Sequence, residues 1–459
     1  MKDEQLEEQH PFSTNTPPRL LIIGTGAIIK KMAPSWECFN KAGVKIFAAD
    51  VEPNPQGLPA LPPVAKFYNC RNRNEQSDLL KEARAEPFDL AYLSTIPELH
   101  LAEVFKHDCL VRNFIIPKPV DSHFGLLETL HAQQKVEGSY RDLVKRIFVH
   151  DHYRNKPLTA YLKGHMQDLH RRNGYLKNIR LYIVEHGTIQ KEFRRRRSLE
   201  CGMILDLAPH ALSVVCELVP NEMEWMDLEG NTFKRMHREI RVVDAVRGRD
   251  NACILHRPLA ETFAALHFRI TETIHFIPKE DATYVDASTR DFDLLIVVGK
   301  GISLGETQGE GCSQDLKAIE VEFDGQIVRG NFDTNAVSGV IDEQLHCKLM
   351  SRVNPDHRGL NLPFLELAEN GFSFENLDST KVIAPFQSFE EAFDISRLLE
   401  DCHKHLRSPR DHELVLYRAY TTIGALLNRC VAMGLNQKWA LKEDPTNLVF
   451  GKVPVNAIQ

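Results

Sequence analysis

Arg19-Leu20-Leu21-Ile22-Ile23-Gly24-Thr25-Gly26 is the stretch that decides the fold. Its first five residues form a short apolar run, the pattern of a strand buried on both faces. The run stops at two glycines, which permit a tight turn and let backbone close on a ligand. Ala27 to Asn40 can then be helical, interrupted near Pro34. Val44-Lys45-Ile46-Phe47-Ala48-Ala49-Asp50 is a second strand, and it ends on an acid. Strand, glycine turn, helix and acid-ended strand open a dinucleotide-binding βαβ unit. Gly24, Thr25, Gly26 and Ala27 are expected around a pyrophosphate at the helix N-terminus, where N–H groups and the helix dipole favour negative charge. Asp50 is placed to accept hydrogen bonds from the adenine ribose. Ile29 occupies the third glycine position, so helix and strand are expected to approach less closely there. An ordinary strand–turn–helix shares these first two glycines, so the rest of the chain has to decide.

Outward from this stretch the alternation continues. Residues Met1 to Pro18 are polar and are expected to be a disordered lead-in. Pro53 to Pro63 replaces the second helix with a loop over the adenine side or an irregular crossover. Strands are expected at Lys66–Cys70, Phe88–Thr95, Asn113–Ile116 and Arg146–His150, with helices at Ser77–Ala85, Glu98–His107 and Phe124–Gln134. Strands alternating with helices indicate a doubly wound parallel sheet, an α/β Rossmann domain over residues 19–150. Ligands of such sheets bind at the C-terminal strand ends, which singles out Thr95, Lys118 and His152.

After Tyr153 the pattern changes. An amphipathic helix, Leu158–Leu169, precedes a strand at Asn178–Glu185. Further strands are expected at 240–246, 262–271, 292–298, 318–323 and 326–330, and helices at Phe389–His405 and Glu413–Met433. Long strands clustered this way predict an open, mostly antiparallel sheet in an α+β domain over residues 151–459.

Composition narrows the class. The chain has 459 residues and a formal net charge of −7, which gives no reason to expect nucleic acid or an anionic membrane as partner. Arg194-Arg195-Arg196-Arg197 is too short and isolated to change that, and suits a solvated loop or an anion-gathering rim. The ten cysteines are scattered without a Cys-x-x-Cys pair, so no metal site is expected, and the usage fits a reducing, cytoplasmic setting. The polar start is wrong for a secretory signal, and no apolar run is long enough to span a bilayer.

The chemistry is expected in Cys201-Gly202-Met203-Ile204-Leu205-Asp206-Leu207-Ala208-Pro209-His210. On a helix, Asp206 and His210 lie one above the other on one face. The carboxylate can then hold the imidazole in one tautomer while the other ring nitrogen takes a proton. Pro209 is compatible with such a helix in its first turn. The plainer alternative makes Asp206 an N-cap and His210 an ordinary polar residue. Cys201 is read as packing, since no dedicated base accompanies it.

Taken in order, these stretches resemble the glucose–fructose oxidoreductase / inositol dehydrogenase / rhizopine-catabolism family (Gfo/Idh/MocA). The resemblance rests on the glycine turn, on Thr95-Ile96-Pro97-Glu98-Leu99-His100, on Pro117-Lys118-Pro119, on Gly202 leading to Asp206 and His210, and on Phe389-Glu390-Glu391-Ala392-Phe393. Asp151-His152-Tyr153-Arg154-Asn155-Lys156, Glu261-Thr262-Phe263-Ala264-Ala265-Leu266 and Gly299-Lys300 also resemble segments of glucose-6-phosphate dehydrogenase. The resemblance covers about Arg19 to Ser303, with a weaker tail to His405. Pro117 stands where the family has an acid and Ile29 where it has a glycine; the acid–imidazole spacing suits the first family alone.

The resemblance implies hydride transfer between a hydroxyl-bearing carbon and a nicotinamide. His210 would accept the hydroxyl proton, Asp206 would orient it, and Lys118 would stabilise a developing alkoxide. Thr95, Pro97, His100 and Lys118 would line the cofactor. His152, Tyr153 and Lys156 would bind a small sugar, sugar phosphate or cyclitol, acidic forms included. Asp50 followed by Glu52 repels a 2′-phosphate, so NAD is expected, with NADP as the alternative. A homo-oligomer formed through the open sheet is also implied. A reductase of a C=N or C=O intermediate, or a non-catalytic cofactor-binding sensor, remains open at this level.

Overall fold

The run Arg19–Ile23 is strand β1, and every residue of it is buried. The computed structural model describes residues 17–51, 64–185, 202–248, 263–280, 283, 285–300, 316–333, 335, 337–339, 358–369 and 386–407. The lead-in over residues 1–16, the proline-rich stretch 53–63, the arginine run 194–197, Cys201 and the helix expected at 413–433 lie outside the described residues. Two units are distinguished: Met1–Asn155 with His357–Phe393, and Lys156–Asp356 with Asp394–Gln459.

In the first unit β1 is joined by β2 (Lys45–Asp50), β3 (Lys66–Asn69), β4 (Phe88–Leu93), β5 (Val111–Pro117) and β6 (Ile147–His150), in the order β3-β2-β1-β4-β5-β6. All six run parallel, and the two-residue strand Gln387–Ser388 adds an antiparallel edge beside β6. This is the expected doubly wound sheet. Its order reverses between β1 and β4, where open sheets of this kind bind their ligands.

Alternation along the strands explains the two cores. Leu21, Ile23, Phe47, Ala49, Ala91, Leu93, Phe114 and Ile116 face one side. There they pack on Leu79 and Ala83 of α3 (Arg73–Ala85), Leu101 and Val104 of α4 (His100–His107) and Leu127 and Leu130 of α5 (Phe124–Val136). Leu20, Ile22, Ile46, Ala48, Leu90, Tyr92 and Ile115 face the other side, against Trp36, Phe39, Leu360 and Phe364. The helix after the glycine turn is divided into α1 (Ala27–Lys31) and α2 (Ala33–Lys41), with Pro34 in the first turn of α2, where no backbone donor is needed. Ile29 fills the core rather than leaving a groove, and its carbonyl accepts the Trp36 indole N–H at 2.9 Å. A helix at Arg358–Glu369, not expected from the sequence, completes this face: Phe364 packs edge-on to Trp36 and Tyr92, and Asn361 accepts from the Ser35 backbone at 3.2 Å.

The second unit begins with α7 (Pro157–Asn173), which follows α6 (Gly138–Val144) in helix order. Its sheet contains β7 (Leu176–Glu185), β8 (Met223–Met226), β9 (Thr232–Gly248), β10 (Phe263–Ile277), β11 (Asp286–Lys300), β12 (Leu316–Phe323), β13 (Ile327–Asn331), β14 (Val337–Ser338) and the short strand Leu406–Arg407. The path runs β14-β13-β12-β7-β11-β10-β9, then Leu406–Arg407, with β8 also on β9. Pairing is antiparallel except at β7–β11 and at β9–Leu406, which matches the expected open, mostly antiparallel sheet. The helix Gly202–Leu218 packs on β7, β10, β11 and α7. Register places Arg180 opposite Glu320, and the buried guanidinium pairs with Glu320 and with Glu322 at 3.1 Å.

Candidate functional site

The first unit gathers its polar groups where β1 and β4 end. Gly24 has φ +85°, a left-handed value that disfavours any side chain, and a Cβ there would lie 2.8 Å from the Ser94 carbonyl oxygen. Gly26 has the same carbonyl 3.6 Å from its Cβ position. The Gly24 N–H is held by the Ala49 carbonyl of β2 at 2.8 Å, and the Ser94 N–H by Ile23 of β1 at 2.7 Å. Thr25 donates its N–H (2.7 Å) and its hydroxyl (2.5 Å) to Asp50 Oδ2. Asp50 thus braces the turn from the end of β2, a task in addition to the ribose contact expected of it. Ala27 is the first residue of α1.

The segment after β4 carries Ser94 and Thr95, whose hydroxyl oxygens are buried and have no protein partner. Buried hydroxyls lacking partners cost free energy unless a ligand or solvent satisfies them. A glycine cradle closed by backbone, two unsatisfied hydroxyls and an acid at the end of β2 fit a dinucleotide. Ser94 was not singled out in the sequence; its only signal was its place at the strand end. Pro97 starts a single 3₁₀ turn, Pro97–Leu99, that leads into α4.

His100 is placed differently. It is 1% exposed, and both ring nitrogens face backbone: Nδ1 lies 3.0 Å from the Pro119 oxygen and 3.2 Å from that of Val120, and Nε2 lies 3.2 Å from the Thr95 oxygen. Burial pushes its pKa below the ordinary histidine value, against the raising effect of the carbonyls and Asp121. Lys118 directly follows β5, its N–H donates to the His150 carbonyl at 3.2 Å, and its peptide bond to Pro119 is cis. Beyond β6, buried Asp151 accepts the Tyr153 N–H at 2.9 Å, and the His152 ring is half-buried with its centroid 4.8 Å from that of Tyr153. Arg154, also missed in the sequence, is buried and pairs with Glu391 at 2.5 Å.

In the second unit Asp206 and His210 lie in the helix Gly202–Leu218, Asp206 half-buried and His210 buried. Helical geometry puts them on one face. Because the helix starts at Gly202, Asp206 is inside it and is not its N-cap. Pro209 is interior too, past the first turn where the sequence would have it. Proline has no N–H, so it leaves the Leu205 carbonyl without its helical donor beside the two candidate residues. Lys156, expected to grip substrate, has its buried ammonium 3.1 Å from the Phe332 carbonyl and 3.6 Å from Asp333.

Sheet order and strand pairing define a Rossmann-type parallel unit followed by an α+β unit, the fold of solved inositol dehydrogenases. Solved structures with this fold include myo-inositol 2-dehydrogenase from Lactobacillus plantarum (13% identity, TM-score 0.54, 85% of this chain and 97% of that one). The scyllo-inositol dehydrogenase from Lactobacillus casei, with NAD(H) and scyllo-inositol bound, matches at 14% identity and TM-score 0.53 over the same shares, 85% and 97%. The WlbA dehydrogenase from Chromobacterium violaceum, in complex with NADH and UDP-GlcNAcA, matches at 12% identity and TM-score 0.53 over 85% of this chain and 94% of that one. These are members of the Gfo/Idh/MocA fold that the sequence motifs resemble. No family model and no curated protein sequence matches the chain.

Proposed function

We propose that this chain is a nicotinamide-dependent oxidoreductase of the Gfo/Idh/MocA type, acting on a hydroxyl-bearing carbon of a sugar, sugar phosphate or cyclitol. The observation that carries the proposal is the Gly24-Thr25-Gly26 turn, closed against Ser94 and braced by Asp50 at the point where the strand order reverses. Gly24, Thr25, Gly26, Ser94 and Thr95 would hold the dinucleotide, with Asp50 on the adenine ribose. A carboxylate at that strand end disfavours a 2′-phosphate, so NAD is preferred to NADP. When bound, NAD supplies the hydride acceptor.

The chain's own residues have the remaining work, which is to orient the carbon and move one proton. In this reading His210 accepts the hydroxyl proton, because a neutral imidazole is a base matched to neutral pH. Asp206 on the same helical face keeps the imidazole oriented and stabilises it once charged. The Lys118 ammonium opposes the negative charge that grows on oxygen as the proton leaves. His152 and Tyr153 offer an imidazole and a phenol to substrate hydroxyls or an anionic group.

The test is a panel of cyclitols, sugars and sugar phosphates mixed with protein and NAD, and of the corresponding ketones and imines with NADH, followed by nicotinamide absorbance. Turnover on a polyol is expected. Binding of NAD without turnover on any compound would instead favour a sensor.

A further inference from the structure

We infer that His100 is a positioning residue: its imidazole clasps the Thr95 strand end to the Pro119–Val120 loop, and so fixes where Lys118 stands. The first observation is that neither ring nitrogen is directed at a ligand. Nδ1 is shared between the Pro119 and Val120 carbonyls at 3.0 and 3.2 Å, and Nε2 meets the Thr95 carbonyl at 3.2 Å. With 1% exposure, the ring is enclosed by the groups it bridges.

The second observation is what those carbonyls belong to. Pro119 follows Lys118 directly, and Thr95 follows the end of β4, one of the two strands at which the sheet order reverses. The loop is tied to α4 a second time, since Asp121 Oδ2 accepts the Leu101 N–H at 3.3 Å while its Oδ1 accepts the His123 N–H at 2.8 Å. Asp121 anchors the far end of the loop; His100 anchors the residue next to Lys118. All three facing groups are carbonyl acceptors, so a neutral ring donates on one side only: with its proton on Nδ1 it donates to Pro119 and Val120, beside Lys118, while Nε2 rests against the Thr95 carbonyl.

The chemical consequence for Lys118 rests on the proposed function, but the clasp does not, so the experiment separates them. Lysine ammonium groups of the intact protein are labelled by reductive ¹³C-methylation, and the Lys118 resonance is identified by its loss in Lys118→Arg. His100→Phe keeps a planar ring, somewhat larger, and removes both nitrogens. It should move or broaden the Lys118 resonance while leaving that of exposed Lys106, on the same helix, in place. His100→Gln, whose amide can still donate to the loop carbonyls, should move it in the same direction by less, and serves if the Phe variant does not fold. In parallel, NAD titration should show several-fold weaker binding for folded His100→Phe. An unmoved Lys118 resonance in a folded variant overturns the clasp. A wild-type protein that binds no NAD overturns the proposed function and leaves the resonance to decide the clasp.

Discussion

Thr25 spends both its donors on one oxygen of Asp50: the backbone N–H at 2.7 Å and the hydroxyl at 2.5 Å. The acid at the end of β2 therefore organises the glycine turn before any ligand arrives. Preorganisation of this kind lowers the ordering cost of binding. Asp50→Ala removes the brace and the proposed ribose acceptor together. Hydrogen bonds to a charged group are worth about 1.5–3 kcal/mol, so NAD affinity should fall by roughly 10- to 100-fold, as measured by fluorescence titration. Thr25→Val, which keeps the N–H and loses the hydroxyl, should fall by less. Equal NAD affinity in Asp50→Ala and wild type would remove Asp50 from the cofactor site.

Gly24→Ala tests the cradle itself. The added Cβ would stand 2.8 Å from the Ser94 carbonyl oxygen at a φ of +85°. Left-handed backbone costs an L-residue about 1–2 kcal/mol, and the clash adds to it. Thermal denaturation should show a lower midpoint, and NAD binding should weaken at least about tenfold. A variant with unchanged affinity would mean that the turn does not approach the dinucleotide.

Buried histidines set the acid limb of stability. His170 is enclosed, stacked on Trp225 with centroids 4.5 Å apart, and its Nδ1 faces the Gly174 carbonyl at 3.0 Å. Burial, and then the Arg235 charge, push its pKa down from 6.5 to about 3. Above 6.5 the ring is neutral folded and unfolded, so it contributes no pH dependence. As pH falls from 6.5 toward 3 the unfolded chain takes up a proton that the folded chain refuses, and stability falls by up to about 1.4 kcal/mol per pH unit. His100, His107 and His403 are shifted in the same direction and add to the slope. Urea unfolding at several pH values should show this loss, and His170→Phe, which keeps the stack, should make it shallower. A slope equal in the two proteins would show that His170 titrates normally.

The parallel sheet was legible because its code is local. Apolar runs such as Leu20–Ile23 are bounded by Gly24 or by strand-end polar residues, and each is followed by a helical period. Boundaries moved by up to eight residues where tertiary pairing extends a strand, as in β9, which reaches back from the expected 240 to Thr232. What was not legible depends on distant partners. The helix Arg358–Glu369 belongs to the first unit because Phe364 meets Trp36 and Tyr92 across more than two hundred residues of chain, which no local period reports. His100 was read as a cofactor ligand from its place in a motif, whereas its partners, Pro119 and Val120, become neighbours only when β4 and β5 pair. Lys156 was read by its charge; its burial against Phe332 follows from where β13 ends. Asp206 and His210 are proposed from their spacing, and the structure places both in one helix; the helix start at Gly202 and the interior Pro209 were not legible, since proline in mid-helix contradicts propensity.

Steady-state kinetics of His210→Ala, on whichever polyol the wild type oxidises with NAD, decide whether His210 is the proton acceptor in the proposed hydride transfer. A general base supplies roughly 10²- to 10⁴-fold, and its interaction strengthens only as the hydroxyl proton leaves. The variant should therefore lose that much in kcat, with little change in KM or NAD affinity and with the basic limb of the pH profile moved. A His210→Ala protein that turns over as fast as wild type with the same pH profile would contradict the account, and would return the Asp206–His210 pair to the role of ordinary polar residues on a buried helix.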